Sequence, residues 1–179
     1  MAKASNRTES SSTPAGQSQK EYLDHLKKVN DVFYDQTKIA DQKAAYIFTF
    51  MVALLISSSE GRNVFQAQRY VEGSWPLIVL SAIMVAATVL ALVSAILVVL
   101  PRRAKGTTSL FWGAWHSHRA DLLKAAEAAK PDYLFNEYLL NIDTLATIAH
   151  AKYRFVTLAF RALVVMSLAY LALLALPVA

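Results

Sequence analysis

The sequence predicts an all-α integral membrane protein with three transmembrane helices, two of them extended into a cytoplasmic helical bundle. Three observations carry this. The chain of 179 residues is 55% hydrophobic, and the apolar residues are gathered into blocks instead of being spread evenly. Charged residues make up 17% and are nearly absent from three long stretches, a pattern that suits lipid better than a water-soluble core. Finally, 4/3 apolar spacing runs without a break into the first and last of those stretches.

Residues 1–18 are polar and rich in Ser and Thr, with no apolar core of a signal peptide, and read as a disordered tail. A helix is expected over 19–43. Tyr22, Leu26, Val29, Phe33, Gln36, Ala40, Lys43, Ile47, Phe50 and Leu54 mark one seam along it and beyond it. The first span, 44–59, is short: sixteen residues at about 1.5 Å each cover roughly 24 Å of a hydrocarbon layer about 30 Å thick. Asp41 and Lys43 then fall at the boundary, where Lys43 can snorkel. Residues 60–74 form a polar external connector holding Gly61 and Gly73.

The second span, 75–100, opens with Trp75 at the interface and Pro76 at a helix start, and carries no charge inside. Residues 101–155 are expected on the cytoplasmic side. They begin with a loop or interfacial turn, continue as a short polar helix over 119–130, and break at Pro131. A second long helix then starts near Asp132. Phe135, Leu139, Ile142, Ala146, Ala149, Tyr153, Val156 and Phe160 mark its stripe into the third span, 156–179, which only Arg161 interrupts.

Charge placement orients the spans. Pro101-Arg102-Arg103, with Lys105 close behind, follows the second span directly, and such cations belong in the cytoplasm. The N-terminus is therefore expected inside and the C-terminus outside. Lys152, Arg154 and Arg161 at the inner end of the third span agree. The net charge of +5 flanks apolar blocks and forms no separate basic stripe, which argues against nucleic acid as a partner. The chain has no cysteine, so disulfide and thiolate chemistry are excluded.

No catalytic constellation is present: phosphate-binding loops, the zinc-protease motif and the nucleophile elbow are all missing, so the chain does not read as an enzyme. His116 and His118 stand near Asp121, but without a third ligand at metal-site spacing they read as polar residues of a turn. His25 and His150 read as helix-surface residues. Phe111, Trp112 and Trp115 can stack on a nucleobase or form an interfacial aromatic belt, and composition favours the belt. Asp41 and Lys43 leave two readings open: a boundary charge pair, or polar groups at membrane depth that line a pore or switch between paired states. Ser57, Ser58, Ser59, Ser81, Thr88, Ser94 and Ser167 suit helix–helix packing.

The order of short motifs resembles one family. Ala40-Asp41-Gln42-Lys43-Ala44-Ala45 enters a short first span, and a second span ends in Leu100-Pro101-Arg102. Leu110-Phe111-Trp112-Gly113 follows, and Ile148-Ala149-His150-Ala151-Lys152-Tyr153 leads into the last span. Over about residues 20–175 this resembles the transmembrane effectors of Pycsar anti-phage systems, with Trp112 in place of a second Phe. The resemblance implies an effector that senses cyclic CMP or cyclic UMP made by a partner nucleotide cyclase. It further implies that the effector impairs the bacterial inner membrane and thereby arrests growth.

Such a ligand carries one negative charge and a flat base, so cations with aromatic residues are the groups to look for. The candidates are Arg102, Arg103, Phe111, Trp112, Tyr138, Asn141 and Lys152, with Asp41 and Lys43 as the membrane-boundary switch. Three helices are too few to enclose a wide pore, so a homo-oligomer is expected. The alternative is a small structural or assembly membrane protein with no ligand gating.

Overall fold

The computed structural model describes residues 14–101, 108–111 and 113–175, and these are helical with no strand among them. Among the described residues six helices follow one another: α1 (Pro14–Ser57), α2 (Ser59–Asn63), α3 (Gln68–Glu72), α4 (Trp75–Val99), α5 (Trp115–Glu127) and α6 (Pro131–Ala175). Three segments are long and apolar enough to cross a membrane: Ser18–Ser57, Trp75–Val99 and Pro131–Ala175. The expected fold class is met to that extent. Most of the predicted tail lies outside the described residues, and α1 begins at Pro14, ahead of the expected start near Gln19.

The chain divides into two compact units. One comprises Met1–Val32 with Gly106–Asp143, and the other Phe33–Lys105 with Thr144–Ala179. Both α1 and α6 contribute residues to each.

In the second unit, α1, α4 and α6 bury Ile47, Met51, Met84, Ala87, Ala91, Ala159, Ala162, Met166, Ala169 and Leu173 together with Val64 from the connector. A further layer holds Ala40, Ala44, Ala95, Val98 and Val156. Eight of these sixteen residues are alanine, which lets backbones approach closely where lipid removes the hydrophobic drive between helices. Large side chains such as Val89, Leu90, Val93, Leu168 and Leu171 point outward instead. Side-chain hydroxyls within the apolar helices are matched locally: the Thr88 hydroxyl donates to the Met84 carbonyl at 2.7 Å, and the Ser167 hydroxyl to the Leu163 carbonyl at 2.9 Å. Between helices, the Ser58 and Tyr170 hydroxyls share a hydrogen bond of 3.1 Å.

The seam differs from the 4/3 reading in detail. On α1 the buried positions are Ala40, Ala44, Ile47 and Met51, so Lys43 and Phe50 are exposed. On α6 Ile142, Ala149 and Val156 of the stripe are buried together with Lys152, Ala159, Ala162 and Met166, whereas Phe160 and Leu139 are exposed. A helix with about 3.6 residues per turn drifts against a strict seven-residue repeat, and alanines one position away let the backbones approach more closely than Lys43 or Phe160 would allow.

The polar connector is ordered and partly helical. The Ser58 hydroxyl caps α2 by accepting from the Gly61 N–H at 3.0 Å. Arg69 pairs with Glu60 and donates from Nε to the Ser81 hydroxyl at 2.8 Å, tying α3 to the start of α4. The Tyr70 hydroxyl donates to the Val64 carbonyl at 2.6 Å. Gly73 follows α3 because a Cβ there would lie 2.4 Å from the Arg69 carbonyl oxygen.

In the first unit α5 starts at Trp115, earlier than expected, and ends at Glu127. Lys130 N–H bonds back to the Ala125 carbonyl at 3.0 Å and Ala129 N–H to Ala126 at 3.2 Å, a helix-ending turn. Ala129 takes φ 47° in that turn, a conformation suited to glycine, and Pro131 then opens α6. Gln19 donates to Asp132 at 3.0 Å, joining α1 to the first turn of α6.

Two outcomes follow. Ala159→Leu overpacks the seam and lowers stability by about 1–3 kcal/mol, whereas Phe160→Leu one position on is close to neutral; thermal unfolding in detergent separates them. Ala129→Gly relieves the left-handed turn and raises stability by about 0.5–1 kcal/mol in the same assay.

Candidate functional site

Two polar clusters interrupt the apolar packing, one in each unit. In the second unit the cluster lies between α1 and α6, beside the layer of Ala40, Ala44 and Val156. The Lys152 ammonium donates to both Asp41 carboxylate oxygens, at 2.5 and 2.7 Å. Its side chain is 9% exposed while that of Asp41 is 37% exposed, so the cation is enclosed and the anion reaches the surface. Next to it the Tyr153 hydroxyl donates to Gln36 Oε1 at 2.7 Å, and the Lys43 ammonium lies 5.4 Å from the centre of the Tyr153 ring.

This arrangement revises the boundary reading. Asp41 and Lys43 are two residues apart, and positions at that spacing do not face each other on a helix. Asp41 pairs instead with Lys152, 111 residues away, and Lys43 sits over Tyr153. The two short motifs that looked independent in sequence, Ala40-Asp41-Gln42-Lys43 and Ala151-Lys152-Tyr153, are the two sides of one contact.

The first unit holds the other cluster. Asn141 Nδ2 donates to Asn30 Oδ1 at 2.6 Å, and the Thr108 hydroxyl donates to Asn141 Oδ1 at 3.3 Å. Glu137 is buried and its carboxylate accepts from the Ser109 N–H at 2.5 Å. The Tyr133 hydroxyl is buried with no hydrogen-bond partner among the described residues. Tyr133, Glu137 and Asn141 follow one another at four-residue spacing, a polar row along one face of α6.

The sequence candidates separate accordingly. Phe111 and Tyr138, both half-buried, and buried Asn141 belong to the first unit, whereas Lys152 belongs to the second and has its own carboxylate partner there. Arg102, Arg103 and Trp112 lie outside the described residues. Asn30, Gln36, Thr108, Tyr133 and Glu137 were not singled out from sequence. The one available signal was the Tyr133–Glu137–Asn141 row, which the adjoining apolar stripe of Phe135, Leu139 and Ile142 obscured. His116 and His118 lie on α5, and among the described residues no cluster of three or more His, Asp or Glu side chains could hold a metal ion.

The ion pair is open to a direct test. Asp41→Asn leaves an enclosed ammonium without its counter-charge and lowers stability by about 2–4 kcal/mol, tempered by the partial exposure of Asp41. In a double-mutant cycle with Lys152→Gln, read by thermal unfolding in detergent, the coupling is about 1 kcal/mol or more. Additive effects would mean that the two charges act independently.

Residues 25–179 match the family model of the Pycsar effector protein domain. No curated protein and no solved structure matches the chain.

Proposed function

The chain belongs to the Pycsar effector family, and on that premise we propose that it senses cyclic CMP or cyclic UMP and impairs the bacterial inner membrane in response. The nucleotide is made by a partner cyclase, and membrane damage arrests growth before a phage completes its cycle. The observation that carries the reading is the Asp41–Lys152 pair, which joins α1 and α6 where charged sequence gives way to apolar sequence. Both helices run unbroken for 44 and 45 residues, and each has residues in both units. A ligand that binds one arrangement of the first unit more tightly shifts the population toward it, and helices without a break carry that shift into the spans.

The first unit supplies suitable groups for the nucleotide. Phe111 and Tyr138 offer aromatic faces, and Asn141 is the amide candidate for a base edge. Arg102 and Arg103, which lie outside the described residues, are the cations that the sequence offers for a phosphate. The same arginines, following the second span, orient the chain with its N-terminus in the cytoplasm and its C-terminus in the periplasm. Three spans enclose no wide pore, so the active form is a homo-oligomer.

Expression in bacteria with cyclic UMP or cyclic CMP supplied separately, read by a membrane-potential dye, tests this. One nucleotide depolarises the cells and the other has little effect. Arg102→Ala with Arg103→Ala abolishes the response while insertion persists, and Asp41→Asn raises the leak without nucleotide. Silence to both nucleotides in cells carrying inserted protein refutes ligand sensing. An unchanged leak in Asp41→Asn refutes the coupling role of the pair.

A further inference from the structure

The exposed face of α6 holds a pair of cations that the switch does not use. Arg154 and Arg161 are both exposed and, seven residues apart, lie on the same side of the helix. No carboxylate pairs with either among the described residues. The hydroxyl of Thr157, between them on that face, is taken up by the Tyr153 carbonyl at 2.9 Å.

Their depth follows from helix register. In the second unit α1 and α6 pair at an offset of 111 residues at Asp41–Lys152 and 112 at Ser58–Tyr170. That offset sets Arg154 level with Lys43, the last charge of α1, and Arg161 level with Phe50, well inside its apolar stretch. Seven residues amount to about 10 Å along the axis. Arg161 thus stands on the outer surface, below the boundary, where an uncompensated charge is costly. Helical side chains lean toward the N-terminus, which on α6 directs Arg161 back toward Arg154 and the boundary.

An apolar groove of about 290 Å³ is lined by Phe50, Phe160, Leu163, Val164, Ser167 and Leu168, of which Val164 and Leu168 follow Arg161 by three and seven residues on its side of the helix. It extends deeper along α6 from the level of Arg161. Large exposed apolar side chains at Phe160, Val164, Val165 and Leu168 surround it, which suits acyl chains and not a water-filled lumen.

We propose that Arg154, Arg161 and this groove form a binding site for an anionic phospholipid. The Arg161 guanidinium, reaching back toward the boundary, holds the headgroup phosphate, Arg154 adds positive charge at that boundary, and an acyl chain lies in the groove. The phosphodiester chemistry is shared with a cyclic nucleotide, but the adjoining apolar groove selects the lipid. The site rests on α6 crossing the membrane and is independent of nucleotide sensing.

Full-length protein in neutral detergent, incubated with mixed micelles of equal phosphatidylglycerol and phosphatidylcholine, tests this by native mass spectrometry of the retained lipid. Phosphatidylglycerol is retained roughly tenfold over phosphatidylcholine. Arg154→Gln with Arg161→Gln brings the ratio close to one, and Arg161→Lys keeps most of the preference. Where the double variant fails to accumulate, Arg161→Gln alone serves the same comparison. Equal retention of both lipids by the native chain overturns the proposal, as does undiminished preference in the glutamine variants. Displacement of phosphatidylglycerol by millimolar dimethyl phosphate or cyclic UMP also overturns it, because the cations then serve a soluble phosphodiester.

Discussion

An enclosed ammonium at the edge of an apolar layer must have a counter-charge, and the Asp41–Lys152 pair meets that requirement. The rest of the second unit is arranged around it. Lys152 reaches Asp41 only at one register of α1 against α6, and at that register Ala40 and Ala44 meet Val156, with Ala95 and Val98 of α4 completing the layer. The pair therefore specifies alignment more than it adds stability, since its attraction largely offsets the cost of removing two charges from water.

Packing beyond the pair follows from the solvent. Lipid is as apolar as leucine, so the spans gain little from hiding leucine and much from close backbone contact. Alanine accordingly supplies eight of the sixteen residues of the two buried clusters, while larger side chains such as Val89, Leu90, Val93, Leu168 and Leu171 face outward. Within the apolar helices, hydroxyls such as those of Thr88 and Ser167 bond to carbonyls one turn back, which satisfies them without a partner helix. The exceptions, Ser58 with Tyr170 and Ser81 with Arg69, sit near the ends of the spans.

The limits of legibility show at particular residues. The three spans were readable because lipid imposes a length and an absence of charge that few other environments impose. The unbroken entry of α1 and α6 into their apolar stretches was readable from continuous periodicity without Pro or Gly. Lys43 was placed on the seam because a 4/3 count cannot distinguish it from Ala44, and steric closeness between helices decided for alanine. The helices within the connector were missed because Ser58, Arg69 and Tyr70 act through partners in the turn itself. Family membership was legible in the order of motifs, and the family model bears it out over residues 25–179.

By itself the sequence determined that this protein has three apolar helical stretches long enough to cross a membrane and that two of those helices continue past their apolar parts. Hydropathy and helical period are local properties, set by a residue and its near neighbours. The tertiary structure decided which charge answers which. Asp41 lies two residues from Lys43 and 111 from Lys152, yet only the distant lysine comes within hydrogen-bond reach, because helix geometry turns the near one away. The same is true of Asn30 with Asn141 and of the groove between Phe50 and Leu168. Contacts of this kind exist only once two helices have a register, and register is a property of the pair.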